Sequence, residues 1–130
     1  MPSLDDFANQ KLAELEKAHL DESGVALVEP ERLRGPEALH EAIGGLEPEP
    51  TGVYLHVDLD VLDSEEAPVN VYSAPGGLSG DQLEALVSGV LERHPVRAVS
   101  LTAYDPDRDP DARVPPIAMG LLRAAAIRAG

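Results

Sequence analysis

The sequence predicts an α/β fold of three layers, αβα, in which a small, mainly parallel sheet is flanked by helices. Three observations predict it. The run Val53-Tyr54-Leu55-His56-Val57-Asp58-Leu59-Asp60-Val61-Leu62-Asp63 places apolar residues on both faces of an extended chain, as a parallel strand covered on each side requires. Apolar strand candidates alternate with amphipathic helical segments along the chain. The connections between strand candidates can hold helices, as parallel pairing demands. At 130 residues and 43% hydrophobic content, the chain suits a single domain, residues 1–130, around one modest core. Aromatic residues make up only 3%, so that core must be built from Val, Leu, Ile and Ala.

From Leu4 to Leu20, apolar residues recur at helical spacing, with Ser3 or Asp5 available as a cap. Gly24 precedes Val25-Ala26-Leu27-Val28, a strand candidate ended by Pro30. Residues Pro36 to Ile43 read as a short helix with proline early and Gly44-Gly45 beyond its end. Glu47 to Gly52 reads as a loop; the Val53 strand follows, then a long connection from Asp63 to Leu78. Ser79 caps a helix predicted over Gly80 to Arg93, whose Leu83, Leu86, Val87, Val90 and Leu91 share one face. A third strand is expected over Val96 to Tyr104, a loop over Asp105 to Pro116, and a final Ala/Leu-rich helix over Ile117 to Arg128.

The formal net charge of −14 disfavours nucleic acid and anionic membranes as partners, and favours cationic small molecules and divalent metals. The absence of cysteine excludes disulfides, thiolate metal sites and a cysteine nucleophile. With no apolar run of membrane-spanning length and no basic-then-apolar leader, the expected location is cytoplasmic.

Asp58 and Asp60 are two positions apart, so an extended chain would point both carboxylates the same way at the strand's end. Like charges held together there call for a cation or strong donors. Hard divalent ions such as Mg²⁺ and Mn²⁺ favour carboxylate oxygen, with His56 and Asp63 placed to assist. The alternative is that these acids cap loop amides or bond to an arginine. Asp105, Asp107, Asp109 and Asp111 lack the central Gly and terminal Glu of a calcium-binding EF-hand, and are expected to be solvated. His19, His40 and His94 are expected at the surface.

The string from Tyr54 to Asp63, followed by Ala67-Pro68 and then Pro75-Gly76-Gly77-Leu78-Ser79, resembles the C-terminal signature of the arginase, agmatinase and formiminoglutamase family of ureohydrolases. In that family a strand ending Asp-x-Asp-x-x-Asp leads through Ala-Pro and a substrate loop to Gly-Gly-Leu-Ser/Thr at a helix start. The resemblance implies a partial arginase-like fold and a two-Mn²⁺ site hydrolysing a guanidinium or other linear C–N bond, with Asp58 and Asp60 as metal ligands. Asp63 matches a position that holds the loop, and His56 reads either as a hydrogen-bond donor behind the metal ligands or as a core histidine bonded to a backbone carbonyl. The family's other ligands come from Gly-Gly-Asp-His and Asp-Ala-His-x-Asp segments that residues 1–50 do not contain. The chain thus resembles the C-terminal half of a longer enzyme, active only if another chain supplies the missing ligands.

Two departures point toward a non-catalytic assembly or binding module instead. The substrate loop, represented by Asn70 and Tyr72, has Val69-Asn70-Val71-Tyr72 where family loops have Gly-Thr-Gly-Thr. Ala103 stands where the family commonly places a substrate-clamping acid. Expected partners are a cationic guanidino molecule, and either further copies of the chain or a complementing N-terminal arginase-like chain.

Overall fold

The structure, a computed structural model, describes residues 3–45 and 49–129. Among these described residues, four α-helices and a two-stranded parallel sheet form the α/β architecture that the sequence predicts. Helix α1 (Leu4–Ser23) opens with a reciprocal cap, in which Ser3 Oγ accepts from the Asp6 amide while the Asp6 carboxylate accepts from the Ser3 amide. Gly24 ends it in the left-handed conformation, φ +77°. No residue of α1 is buried; even Leu4 and Phe7 are 88% and 65% exposed.

The strand expected at Val25–Val28 does not form. A strand exists only through a hydrogen-bonded neighbour, and among the described residues the sheet consists of β1 (Val53–Asp58) and β2 (Val96–Thr102) alone. Val25 and Leu27 stay exposed, and a 3₁₀ turn over Pro30–Leu33 follows. Helix α2 (Pro36–Gly44) begins with its proline in the first turn, where the missing N–H costs nothing. Part of the loop expected after it, residues 46–48, lies outside the described residues.

β1 and β2 pair in parallel, with Leu55 opposite Val99, Val57 opposite Leu101 and Asp58 opposite Thr102. Between them runs α3 (Gly80–Arg93), capped reciprocally by Ser79 and Gln82. Its Leu83, Val87 and Leu91 are buried, joining Val57 of β1 and Leu121 of α4 (Val114–Ala129) in one core. Burial alternates along β1: Val57 is inside, whereas Tyr54, His56 and Asp58 are exposed. The face of the sheet carrying Tyr54 and His56 is therefore open, and α1 does not close it.

Close approaches hold the helical side together. α2 meets α3 at Gly89, where a Cβ would stand 2.6 Å from Ile43 Cδ1. His94, expected at the surface, is instead only 5% exposed, and its Nε2 lies 2.9 Å from the Ile43 carbonyl oxygen. It therefore ties the end of α3 to α2, a contact no local pattern announces.

α4 starts three residues before the expected Ile117. Pro115 and Pro116 fall in its first turn, where amide hydrogens have no helical partner to lose. The long connection from Asp63 to Leu78 is not a loose loop. Ala67 and Val69 are fully buried, and a parallel bridge between Leu62 and Leu78 fastens its two ends.

Candidate functional site

The site forms at the carboxyl end of β1, the end at which open α/β sheets present ligand sites. β1 stops at Asp58, and residues Leu59–Val61 make a 3₁₀ turn. The extended-chain argument for Asp60 is thus corrected: Asp60 does not continue the strand. The two carboxylates meet because the chain turns. Asp58 Oδ1 accepts from the Asp60 amide at 3.1 Å, which holds the two acids side by side. The prospect of sharing a proton with the Asp58 carboxylate raises the Asp60 carboxyl above its usual value, with partial burial and the Asp58 charge acting in the same direction and Asn70 opposing them. No Arg or Lys pairs with either acid among the described residues.

His56 is exposed, not in the core. Its Nδ1 lies 2.7 Å from Ser100 Oγ and its Nε2 3.4 Å from Thr102 Oγ1. Tyr54 donates to the same Ser100 oxygen at 2.7 Å, and the Tyr54 and His56 rings stack. This polar ladder across the open face comes from cross-strand register, which the sequence does not display. Asp63 spends its carboxylate on the loop: Oδ1 accepts from the Glu65 amide at 2.9 Å and Oδ2 from the Gly76 amide at 3.3 Å.

The loop over the site is anchored by Asn70. Its Oδ1 accepts from the Tyr72 amide at 2.8 Å, and its Nδ2 donates to the Ala103 carbonyl at 2.7 Å. Asn70 therefore ties the loop to the residue just past β2, near enough to Asp60 to lower its carboxyl's value. Tyr72 is anchored only through its backbone, and its side chain is 81% exposed. Ala103 itself has φ +75°, in the left-handed region that disfavours any side chain. Ala103→Gly is expected to stabilise the protein by about 1 kcal/mol, seen as a higher urea midpoint at unchanged slope.

Asp109 corrects the expectation of a solvated acidic loop. It is 4% exposed and accepts from the Tyr104 hydroxyl at 2.9 Å, the Arg113 amide at 2.9 Å and the Val114 amide at 3.0 Å. The carboxylate thus caps α4 and secures the segment just past the site. The available signal was Val114-Pro115-Pro116, a helix start that needs an acceptor upstream. Burial pushes the Asp109 carboxyl up, but the Val114 and Arg113 amides, the Tyr104 hydroxyl and the Arg113 charge outweigh it, so it titrates below its usual value. A depressed folded-state value adds stability above the unfolded value of about 4 and loses it as pH falls through the folded one. Asp109→Asn should therefore lower the melting temperature by several degrees at pH 7, and the gap from the parent protein should narrow below about pH 4.

Among the described residues, no group of three or more His, Cys, Asp or Glu is placed to hold a metal ion. The site is a carboxylate pair under a folded loop, at the strand end of a parallel α/β unit. That arrangement defines an α/β protein with a candidate site at the end of a strand. The sequence matches the family model of the arginase family over residues 6–127, and the chain belongs to that family. No curated protein matches it.

Solved structures agree on the fold. The arginase from Bacillus caldovelox is 25% identical with a TM-score of 0.74, the match covering 85% of this chain and 38% of that one. Formimidoylglutamase from Bacillus subtilis subsp. subtilis str. 168 is 23% identical with a TM-score of 0.74, covering 86% and 36%. The proclavaminate amidino hydrolase of Streptomyces clavuligerus is 24% identical with a TM-score of 0.68, covering 82% and 36%. The chain spans well under half the length of each. No helix among the described residues is long and apolar enough to cross a membrane.

Proposed function

We propose that this chain carries the carboxylate half of an arginase-type Mn²⁺ centre, with Asp58 and Asp60 as ligands, and that hydrolysis of a guanidino or other linear C–N bond needs further ligands from outside these 130 residues. The observation that carries this reading is the juxtaposition of two carboxylates that no basic side chain among the described residues pairs with, at the strand end of an arginase-family fold. Two hard oxygen donors suit a divalent cation, which would relieve their mutual repulsion. They are too few to enclose it. Bound metal would supply the nucleophile by lowering the pKa of water. In this chain Asp58 and Asp60 would hold the ion, Asn70 would orient Asp60, and Asp63 would keep the loop closed. A net charge of −14 draws in both the ion and a cationic substrate. A cytoplasmic location belongs to the same proposal and is compatible with the lack of cysteine.

The purified chain should release no urea from arginine or agmatine with Mn²⁺, yet bind Mn²⁺ weakly in a manner lost in Asp58→Asn. Robust turnover abolished by Asp58→Ala would refute incompleteness, while Mn²⁺ binding indifferent to both acids would refute the ligand assignment. Ala103 favours a second reading, a non-catalytic module. Its position bears no carboxylate, and its carbonyl is already engaged by Asn70. Gly-Gly-Asp-His and Asp-Ala-His-x-Asp segments in the adjoining reading frame would favour the enzyme half over the module.

A further inference from the structure

The turn at residues 69–73 is tightly ordered. Ser73 Oγ accepts from the Val69 and Asn70 amides at 2.9 and 3.1 Å, and Asn70 Oδ1 accepts from the Tyr72 amide at 2.8 Å. Two further bonds fix the turn to the segment just past β2: Asn70 Nδ2 donates to the Ala103 carbonyl, and the Asp105 amide donates to the Val69 carbonyl at 2.9 Å. Val69 is fully buried, whereas Val71 and Tyr72 are exposed. An ordered turn thus presents two adjacent large side chains to water, where they bury no apolar area for folding. It does so at the end of the sheet that bears the carboxylates. Thr102 is the strand partner of Asp58, Ala103 follows it, and the Asn70 carboxamide joins the Ala103 carbonyl to the Tyr72 amide.

We infer that Tyr72 sets the substrate class of this site: its ring is the platform for the body of the ligand, so the site takes a guanidino compound with an aromatic or aliphatic body in preference to one whose body carries a carboxylate, an inference that rests on the function proposed above. Head and body meet different surfaces. The two acids attract a cationic head, while the face of an exposed tyrosine attracts cations and apolar groups as water leaves it. Tyrosine has few rotatable bonds to lose, and a turn already pinned through its backbone leaves little order to impose on binding. A carboxylate on the body would find no cation here. Neither residues 59–79 nor residues 98–107 contain Lys or Arg, and the first of these segments holds Asp60, Asp63, Glu65 and Glu66. Repulsion from those acids would add to the cost of stripping water from such a group.

The test is calorimetric titration of the full chain with phenethylguanidinium and with arginine, each with and without Mn²⁺. Phenethylguanidinium is expected to bind about tenfold more tightly than arginine, through the ring contact and the lack of an unpaired carboxylate. Tyr72→Ala should cost about fivefold of that affinity while leaving arginine's unchanged. Tyr72→Phe, which keeps the ring and drops the hydroxyl, should retain it. Both variants should melt with the parent, because the side chain is exposed and only its backbone is anchored. Arginine bound as tightly as phenethylguanidinium, no binding of phenethylguanidinium, or equal affinity of parent and Tyr72→Ala for it would overturn the inference. Asp58-dependent Mn²⁺ binding without any dependence on Tyr72 would leave the metal reading standing and sink this one. Tyr72-dependent binding by a chain that takes up no Mn²⁺ would do the reverse.

Discussion

Gly77→Ala is expected to destabilise the protein by about 3 kcal/mol, the combined cost of a displaced backbone and two weakened hydrogen bonds. A Cβ on residue 77 would press on the Val61 carbonyl oxygen and stand 2.8 Å from the Asp63 amide nitrogen and 2.9 Å from the Leu62 carbonyl carbon. All three are backbone atoms, so no rotamer change can relieve the contact. The chain would have to separate where Leu78 donates to Val61 at 2.9 Å and Asp63 donates to Leu78 at 2.8 Å. Gly76→Ala makes the informative comparison. Gly76 has φ +87° but open space around its Cβ position, so only conformational strain of about 1 kcal/mol is expected there. Equal melting temperatures for the two variants would show that close approach is not what residue 77 secures.

Leu62→Ala should cost a similar amount, about 3 kcal/mol within the usual range for a buried leucine, and lower the melting temperature by on the order of 10 °C. Leu62 is fully buried between the turn bearing Asp60 and the bridge to Leu78. Its removal leaves a cavity at the end of the turn that carries Asp60. The same substitution should therefore weaken Asp58-dependent Mn²⁺ binding, although Leu62 offers no ligand. Leu121→Ala, equally buried but in α4, serves as the control, since it should lower stability without that added loss of binding. A denaturation midpoint unchanged in Leu62→Ala would contradict the packing described for this turn.

The parts of the fold legible in the sequence are those whose causes are local. Ser3 with Asp6 and Ser79 with Gln82 lie three residues apart, so each cap is written within one turn of its helix. The match over Tyr54 to Ser79 was likewise readable, because spacing of Asp, Ala-Pro and Gly-Gly survives without knowledge of what packs around it. Asp58 and Asp60 were brought together for a different reason from the one their spacing suggested. A 3₁₀ turn joins them, and its formation depends on burying Leu59 and Leu62.

Sequence alone determined the helices, the strands β1 and β2 and the family, and pointed to Asp58 and Asp60 as candidates, since each follows from neighbouring residues or a contiguous motif. Tertiary structure alone decided that Val25–Val28 is no strand, that His94 and Asp109 are inside, and that β1 pairs with β2 and no other strand among the described residues. Pairing and burial depend on partners far along the chain: Ile43 for His94, β2 for β1, and for Val25–Val28 no strand among the described residues. A residue's own neighbours cannot report whether such a partner arrives, because the free energy of a ladder or a buried contact exists only when both sides are in place.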